Sequence, residues 1–122
     1  MKSLRTLVLA AFACASMATA ALAHAFLDRA VPGVGATVSG SPGELELSFT
    51  QNIVVAFSGV ELASAQGGSV PTAKPVVDSG SPNVMHVRLG HGLKPGVYIV
   101  HWHVVSVDTH RTSGSYKFTV AP

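Results

Sequence analysis

Histidines are the residues of this chain with the widest choice of chemistry. Six occur among 122 residues, and an imidazole can act as a general base, a proton carrier or a metal ligand. They are His24, His86, His91, His101, His103 and His110. Their neighbours in the sequence, more than their number, indicate which of these roles each one takes.

His24 directly follows a segment with the organisation of a secretory signal peptide. Lys2 and Arg5 form a basic start, an apolar run follows, and small residues end it. The run is rather short for a membrane anchor, which needs about 20 residues. We therefore predict that residues 1–23 are a cleaved signal peptide, and that residues 24–122 form one exported domain with no membrane span.

A histidine at the start of a chain offers two nitrogens to a metal. Once the leader is removed, the α-amine and the ring Nδ1 of His24 can close a six-membered chelate ring on one ion. An α-amine has a reference pKa of about 7.7, so a metal displaces its proton easily at neutral pH. The alternative is that His24 is incidental, because signal peptidase tolerates many first residues.

Asp108 and His110 form a second pattern with metal-binding chemistry. Residues two apart point to the same side of an extended chain, so this carboxylate and this imidazole can converge on one ion. A plain hydrogen bond between the two side chains is the competing interpretation. Together with His24 they would offer three nitrogens and one oxygen. That set suits a tetragonal Cu(II) site, and Cu(II) has the highest affinity among the divalent ions.

The other histidines carry weaker signals. His101 and His103 flank a tryptophan and share one strand face, which predicts either a second metal pair or a part of the core or outer sheet. His86 on a strand and His91 in a turn have no evident partner and are interpreted as structural or solvated. Met85 is the only methionine after the leader and is predicted to be core. So few thioethers argue against a Cu(I) site.

Several functions are disfavoured by what the sequence lacks. It has no G-x-S-x-G nucleophile elbow and no glycine-rich phosphate loop before a helix. Its one cysteine, Cys14, lies in the predicted leader, which leaves no disulfide and no thiolate metal site. Charged residues make up 11% of the chain and form no basic patch, so nucleic acid is not an expected partner.

The elements that must position these residues are short strands. Leu45, Leu47 and Phe49 alternate with polar residues, and further β-rich runs follow at 84–89 and 97–107. Turns rich in Gly, Pro and Ser separate these runs, and no stretch has sustained helical periodicity between caps. This pattern predicts an all-β sandwich of about seven strands.

A longer ordered series of residues carries a family resemblance. It begins with His24-Ala25 and includes Leu93-x-Pro95-Gly96-x-Tyr98-x-Val100-x-Trp102, Val104-Val105-Ser106-x-Asp108-x-His110 and Ser113-Gly114-Ser115-x-x-Phe118-x-Val120. With these motifs, essentially all of residues 24–122 resembles the CopC-type periplasmic copper-resistance proteins.

The resemblance implies an immunoglobulin-like Greek-key β-sandwich with Cu(II) bound near one end. Carried over by motif, the ligands are the amine and ring of His24, the carboxylate of Asp108 and the ring of His110, which the family's N-terminal strand brings together. It further implies a non-enzymatic periplasmic protein that carries or buffers Cu(II) for copper resistance. Delivery to an inner-membrane copper transporter belongs to the same expectation.

The chain departs from the family pattern at several positions. Arg111 stands where the family usually has proline, and its charge would weaken cation binding or attract an anionic partner. Thr109 replaces a frequent glycine, and Phe26 stands where some members have a further histidine. The methionine-rich Cu(I) loop of some members is missing from residues 66–74, so the chain resembles the Cu(II)-only form.

Two other functions stay open at this point. A terminal histidine with a second histidine also forms the copper brace of lytic polysaccharide monooxygenases, which are oxidative enzymes and generally larger. That hypothesis predicts oxidation of a polysaccharide in the presence of reductant and peroxide. A metal-free interaction module instead predicts no copper affinity beyond that of scattered surface histidines.

Overall fold

Alternating apolar residues between frequent turns give this chain its strands. The computed structural model describes residues 24–90 and 92–122, and nine strands lie there. They are β1 (Leu27–Val31), β2 (Thr37–Ser39), β3 (Glu44–Phe49), β4 (Gly59–Ser64), β5 (Ser69–Val70), β6 (Val76–Asp78), β7 (Ser81–Arg88), β8 (Gly96–Val105) and β9 (Arg111–Ala121). A short 3₁₀ helix, Val55–Phe57, precedes β4.

The strands form two sheets, one in the order β1-β3-β7-β6 and the other in the order β2-β9-β8-β4-β5. Pairing is antiparallel except between β2 and β9, which run parallel. Neighbours such as β4 and β8 are far apart in the sequence, as in Greek-key sandwiches. The predicted all-β sandwich is confirmed. The described strands number nine where about seven were expected, and three of them, β2, β5 and β6, are segments of only two or three residues.

The core lies between the two sheets and follows the predicted alternation. Leu45, Leu47 and Phe49 on β3 are all buried, and Met85 on β7 is fully buried as expected. Across the sandwich, the rings of Phe49 and Trp102 meet edge to face with centroids 5.3 Å apart. Fully burying a side chain of this size contributes about 1.5–3 kcal/mol. These contacts make the two sheets a rigid support for the turns at their ends.

The segments that carry His24, Asp108 and His110 meet at one end of the sandwich. β8 and β9 pair along their length, which makes residues 106–110 the turn between them. The start of β1 pairs with the end of β3, so residues 24–26 lie beside that end of β3. Just after β3, Ile53 bridges to Ser106 of the turn. Two segments that are far apart in the sequence therefore meet here.

Two sequence predictions concern residues outside the described ranges. The predicted signal peptide, residues 1–23, and the predicted turn at His91 are not described, so both stay predictions. Over the ranges that are described, no helix has the length and apolar character needed to cross a membrane.

Candidate metal centre

Ser106 organises the turn between β8 and β9. Its backbone N–H donates to the carbonyl of His110 over 2.9 Å, and its carbonyl accepts from the N–H of Thr109 over 2.9 Å. Thr109 adopts φ 73°, in the left-handed region that β-branched residues rarely enter. The turn is therefore tight, and Asp108 and His110 are among the side chains that it exposes.

Asp108 and His110 are in direct contact, with 3.2 Å between the Asp108 Oδ2 and the His110 Nδ1. The alternative to a metal pair was a plain hydrogen bond between these two side chains, and that hydrogen bond is present. On its other side, Asp108 accepts a hydrogen bond at Oδ1 from the hydroxyl of Ser106. The hydrogen bond from Ser106 is the largest influence on the pKa of Asp108 and lowers it; desolvation opposes this, and the contacts with His110 lower the pKa further, so that it lies below its ordinary value. The carboxylate is therefore ionised at neutral pH and able to bind a cation.

Two threonines hold the backbone around residue 24. The hydroxyl of Thr50 donates to the carbonyl of His24 over 3.1 Å and accepts from the N–H of Phe26 over 2.9 Å. The hydroxyl of Thr112 donates to the carbonyl of Ala25 over 2.6 Å. Thr50 follows β3 of one sheet and Thr112 lies on β9 of the other. The segment is consequently fixed by both sheets.

The rings of His24 and His110 meet edge to face, with centroids 4.7 Å apart and an interplanar angle of 88°. The Nδ1 of His24 is buried and has no hydrogen-bond partner among the described residues, a condition that it shares with the hydroxyl of Tyr116. A buried polar atom without a partner is rare and needs an explanation. A cation beside the two rings would supply the missing partner of His24.

The structure thus brings the three predicted ligand residues, His24, Asp108 and His110, to one end of the sandwich. Their side-chain donor atoms do not all lie within 4.8 Å of one another in the described conformation. His110 is exposed on the turn, so rotation of its ring can bring a nitrogen to the same ion as the His24 ring and the Asp108 carboxylate. The donor set, imidazole nitrogen with one carboxylate, fits copper chemistry.

His101 and His103 lie on the outer face of the five-stranded sheet, because both are exposed while their neighbours on β8 point inward. This excludes a place for them in the core. The ring of His103 covers Gly59, where an added Cβ would be 2.9 Å from the His103 Cε1. His103 also lines a cleft with Phe57 and with Arg111, which begins β9. A second metal pair at His101 and His103 stays a prediction.

His86 has two carboxylate partners that the sequence did not reveal. Its Nδ1 lies 3.2 Å from the Glu44 Oε1, and its Nε2 lies 3.7 Å from the Asp78 Oδ2. Glu46 lies directly opposite His86 in the pairing of β3 with β7. Its carboxylate, the Glu44 carboxylate and a ring nitrogen of His86 all lie within 4.8 Å of one another. Contacts between an imidazole and carboxylates account for this cluster without an ion. Only the register of three paired strands reveals it.

Known proteins share this fold and this sequence pattern. The family model described as "CopC domain" matches residues 27–121. A copper resistance protein C of Xanthomonas campestris pv. juglandis is 38% identical over 113 residues, which cover 87% of each chain. The crystal structure of CopC from Methylosinus trichosporium OB3b has a TM-score of 0.76 at 29% identity, over 81% of this chain and 95% of that one.

A second solved structure is similar to nearly the same extent. It is PcoC of Escherichia coli, described as a methionine-rich copper resistance protein. Its TM-score is 0.72 at 32% identity, over 80% of this chain and 99% of the other. The family match covers all nine strands and the turn 106–110, and it begins three residues after His24.

Proposed function

The chain belongs to the CopC family, and we propose from this premise that it is a periplasmic Cu(II)-binding protein that carries or buffers copper for copper resistance. The observation that carries the proposal is the meeting of the His24 and His110 rings, 4.7 Å apart, beside a buried His24 Nδ1 that has no partner among the described residues. Copper is the cargo of the site. The relatives named for copper resistance support this choice of metal.

The proposed ligands are the amine and ring of His24, the carboxylate of Asp108 and the ring of His110. Cleavage after residue 23 would turn the backbone nitrogen of His24 from an amide, which is a poor ligand, into a basic amine. The amine and the Nδ1 of one residue would then chelate the ion. Three nitrogens and one carboxylate oxygen form a set that suits tetragonal Cu(II).

The methionine content favours Cu(II) over Cu(I). Soft thioether ligands select Cu(I), and Met85 is the only methionine in residues 24–122. It is fully buried in the core, so its thioether is not available to an ion at the surface. PcoC, by contrast, is described as methionine-rich. We therefore propose that the site binds copper as Cu(II) and not as Cu(I).

Carriage and buffering require a site that both binds and releases its ion. Asp108 and His110 lie on an exposed turn, where a second protein can reach them. Phe26 and Val107 beside the site expose 52% and 60% of their surface, which offers apolar contact to such a partner. We propose an inner-membrane copper transporter as that partner.

A competitive Cu(II) titration tests the proposal. The protein beginning at His24 is compared with its His110→Ala variant and, as a matched control, with His101→Ala, which removes another exposed histidine. We expect tight one-to-one binding by the parent and by the control. His110→Ala should bind at least about 100-fold more weakly, since losing a ligand exceeds the roughly 10–100-fold effect of outer-shell changes. Equal affinities for all three would overturn the proposal.

The same protein separates the carrier from the histidine-brace enzyme. Copper-loaded protein is incubated with cellulose or chitin, ascorbate and hydrogen peroxide, and the soluble products are analysed by mass spectrometry. The proposal predicts no oxidised oligosaccharides above the level of free copper. Oxidised products that depend on His24 and His110 would contradict it and establish the enzyme.

A further inference from the structure

We infer that Ser106 is a positioning residue of the copper site, which fixes the Asp108 carboxylate so that Oδ2 faces His110. The inference rests on the proposed function and adds to it a residue that does not itself touch the metal. Ser106 has no exposed surface, whereas Asp108 and His110 are exposed. A buried polar side chain directly beneath two exposed ligands is the feature that requires an explanation.

The hydroxyl of Ser106 has two acceptors within reach. It donates to the Asp108 Oδ1, and it lies 3.2 Å from the carbonyl oxygen of His110. One hydroxyl carries only one proton, so the two acceptors compete for it. The ionised carboxylate is the stronger acceptor, because hydrogen bonds to charged groups are roughly twice as strong as neutral ones. The His110 carbonyl has another donor in the N–H of Ser106, 2.9 Å away.

The two carboxylate oxygens of Asp108 therefore have different partners. Oδ1 is held from below by Ser106, and Oδ2 lies 3.2 Å from the Nδ1 of His110, on the side of the ligands. Rotation of the carboxylate about its own axis would break both contacts together. The oxygen that faces the imidazole is therefore fixed before the ion arrives, and the ion does not have to order it.

Removal of the hydroxyl changes little else in the turn. Ser106→Ala keeps the backbone bonds from Ser106 to His110 and from Thr109 to Ser106, because main-chain atoms make both. The smaller side chain also introduces no clash at a fully buried position. The variant should therefore fold with the same turn and a carboxylate that is free to rotate. Outer-shell changes of this kind cost roughly 10–100-fold in metal affinity.

Ser58→Ala is the matched control. Ser58 is also buried at this end of the sandwich, and its hydroxyl donates to the carbonyl of Val54 over 2.8 Å and accepts from the N–H of Val105 over 3.1 Å. Both of these hydrogen-bond partners are backbone groups, and neither belongs to a proposed ligand residue. Its loss therefore reports the cost of deleting a buried hydroxyl, without any effect through Asp108.

The test is a double-mutant cycle on Cu(II) affinity, with Ser106→Ala and Asp108→Ala measured alone and together. We expect Ser106→Ala to bind about 10-fold or more weakly than the parent, and Ser58→Ala to bind within about 3-fold of it. In the Asp108→Ala background, Ser106→Ala should cause no further loss, because the group through which it acts is gone. Equal effects of Ser106→Ala and Ser58→Ala, or additive losses, would overturn the inference.

Two further measurements distinguish a failure of this inference from a failure of the proposed ligand set. The electron paramagnetic resonance spectrum of bound Cu(II) should change in Ser106→Ala and match the parent in Ser58→Ala; identical spectra for all three would contradict the positioning role. If Asp108→Ala alone binds copper like the parent, the proposed ligand set fails and this inference fails with it. If Asp108→Ala binds weakly and Ser106→Ala matches its control, only this inference fails.

Discussion

At the scale of single residues, the proposed site consists of groups that differ in how tightly they hold a proton. Imidazole and α-amine nitrogens must be unprotonated to bind a metal, and their reference pKa values are about 6.5 and about 7.7. Asp108 is different, because its hydrogen bond from Ser106 and its contact with His110 lower its pKa from 3.8. The nitrogens, and not the carboxylate, should therefore set the pH dependence near neutrality.

We expect the Cu(II) affinity to fall steadily as the pH is lowered from 8 to 6, because protons then compete for the nitrogens. Competitive titrations at several pH values measure this slope. The Asp108→Asn variant should bind more weakly at every pH but with the same slope. A slope that flattens in this variant would contradict the account.

Asp108 should also affect the stability of the metal-free protein, and this effect should change with pH in the acidic range. A carboxylate whose folded-state pKa is lowered stabilises the fold above its unfolded-state value and loses this effect as the pH falls through the folded-state value. Asp108 should therefore contribute to stability at every pH above 3.8 and lose that contribution below it. Thermal unfolding of the parent and Asp108→Asn should differ at pH 6, and the difference should shrink toward pH 3.

Thr109 carries backbone strain beside the ligands. Its φ of 73° lies in a region that asparagine tolerates better than a β-branched residue. Such strain costs of order 1–3 kcal/mol, so Thr109→Asn should raise the free energy of unfolding by about 1 kcal/mol. Urea denaturation measures this change. The Thr109→Val variant, which keeps the β-branch, should show no such gain; a gain of equal size in both variants would remove strain as the cause.

At the scale of elements, the site depends on how two distant segments are held together. The threonine pair Thr50 and Thr112 fixes residues 24–26 from both sheets before any metal is present. Ligands that are already oriented lose less conformational freedom on binding, which is the general advantage of a preorganised site. The threonine hydroxyls should therefore influence copper affinity without contacting the ion.

We expect Thr50→Val to weaken Cu(II) binding by about 10-fold, since valine keeps the shape of threonine but loses its bonds to His24 and Phe26. Thr50→Ser keeps the hydroxyl and should bind within about 3-fold of the parent. Competitive titration compares the three proteins, each beginning at His24. Equal weakening by serine and valine would show that the methyl group, and not the hydroxyl, matters.

Local sequence patterns predict single strands and close neighbours, but not contacts between distant strands. Period-two alternation was sufficient to predict β3 and its buried face, because that pattern is local. The closeness of Asp108 and His110 followed from their spacing of two. Contact between residue 24 and the turn 106–110 depends on pairing between distant strands, so the family resemblance alone predicted it. The carboxylate partners of His86 required the register of β3, β6 and β7, which no local pattern contains.

At the scale of the whole molecule, the sandwich separates two kinds of histidine chemistry. The His24 and His110 rings meet at one end, beside a buried nitrogen without a described partner. His86 lies on the outer face of the four-stranded sheet, where carboxylates already pair with both of its nitrogens. His101 and His103 lie on the outer face of the other sheet. Copper specificity should therefore belong to the end of the molecule and not to its faces.

The central claim is that export processing completes the copper site by converting the nitrogen of His24 into an amine. The most direct test compares competitive Cu(II) titrations of two proteins, one confirmed by mass to begin at His24 and one with a single alanine added before it. The account predicts tight one-to-one binding by the first and a loss of at least about 100-fold in the second, beyond the effect of an outer-shell change. Equal affinity of the two proteins would contradict it.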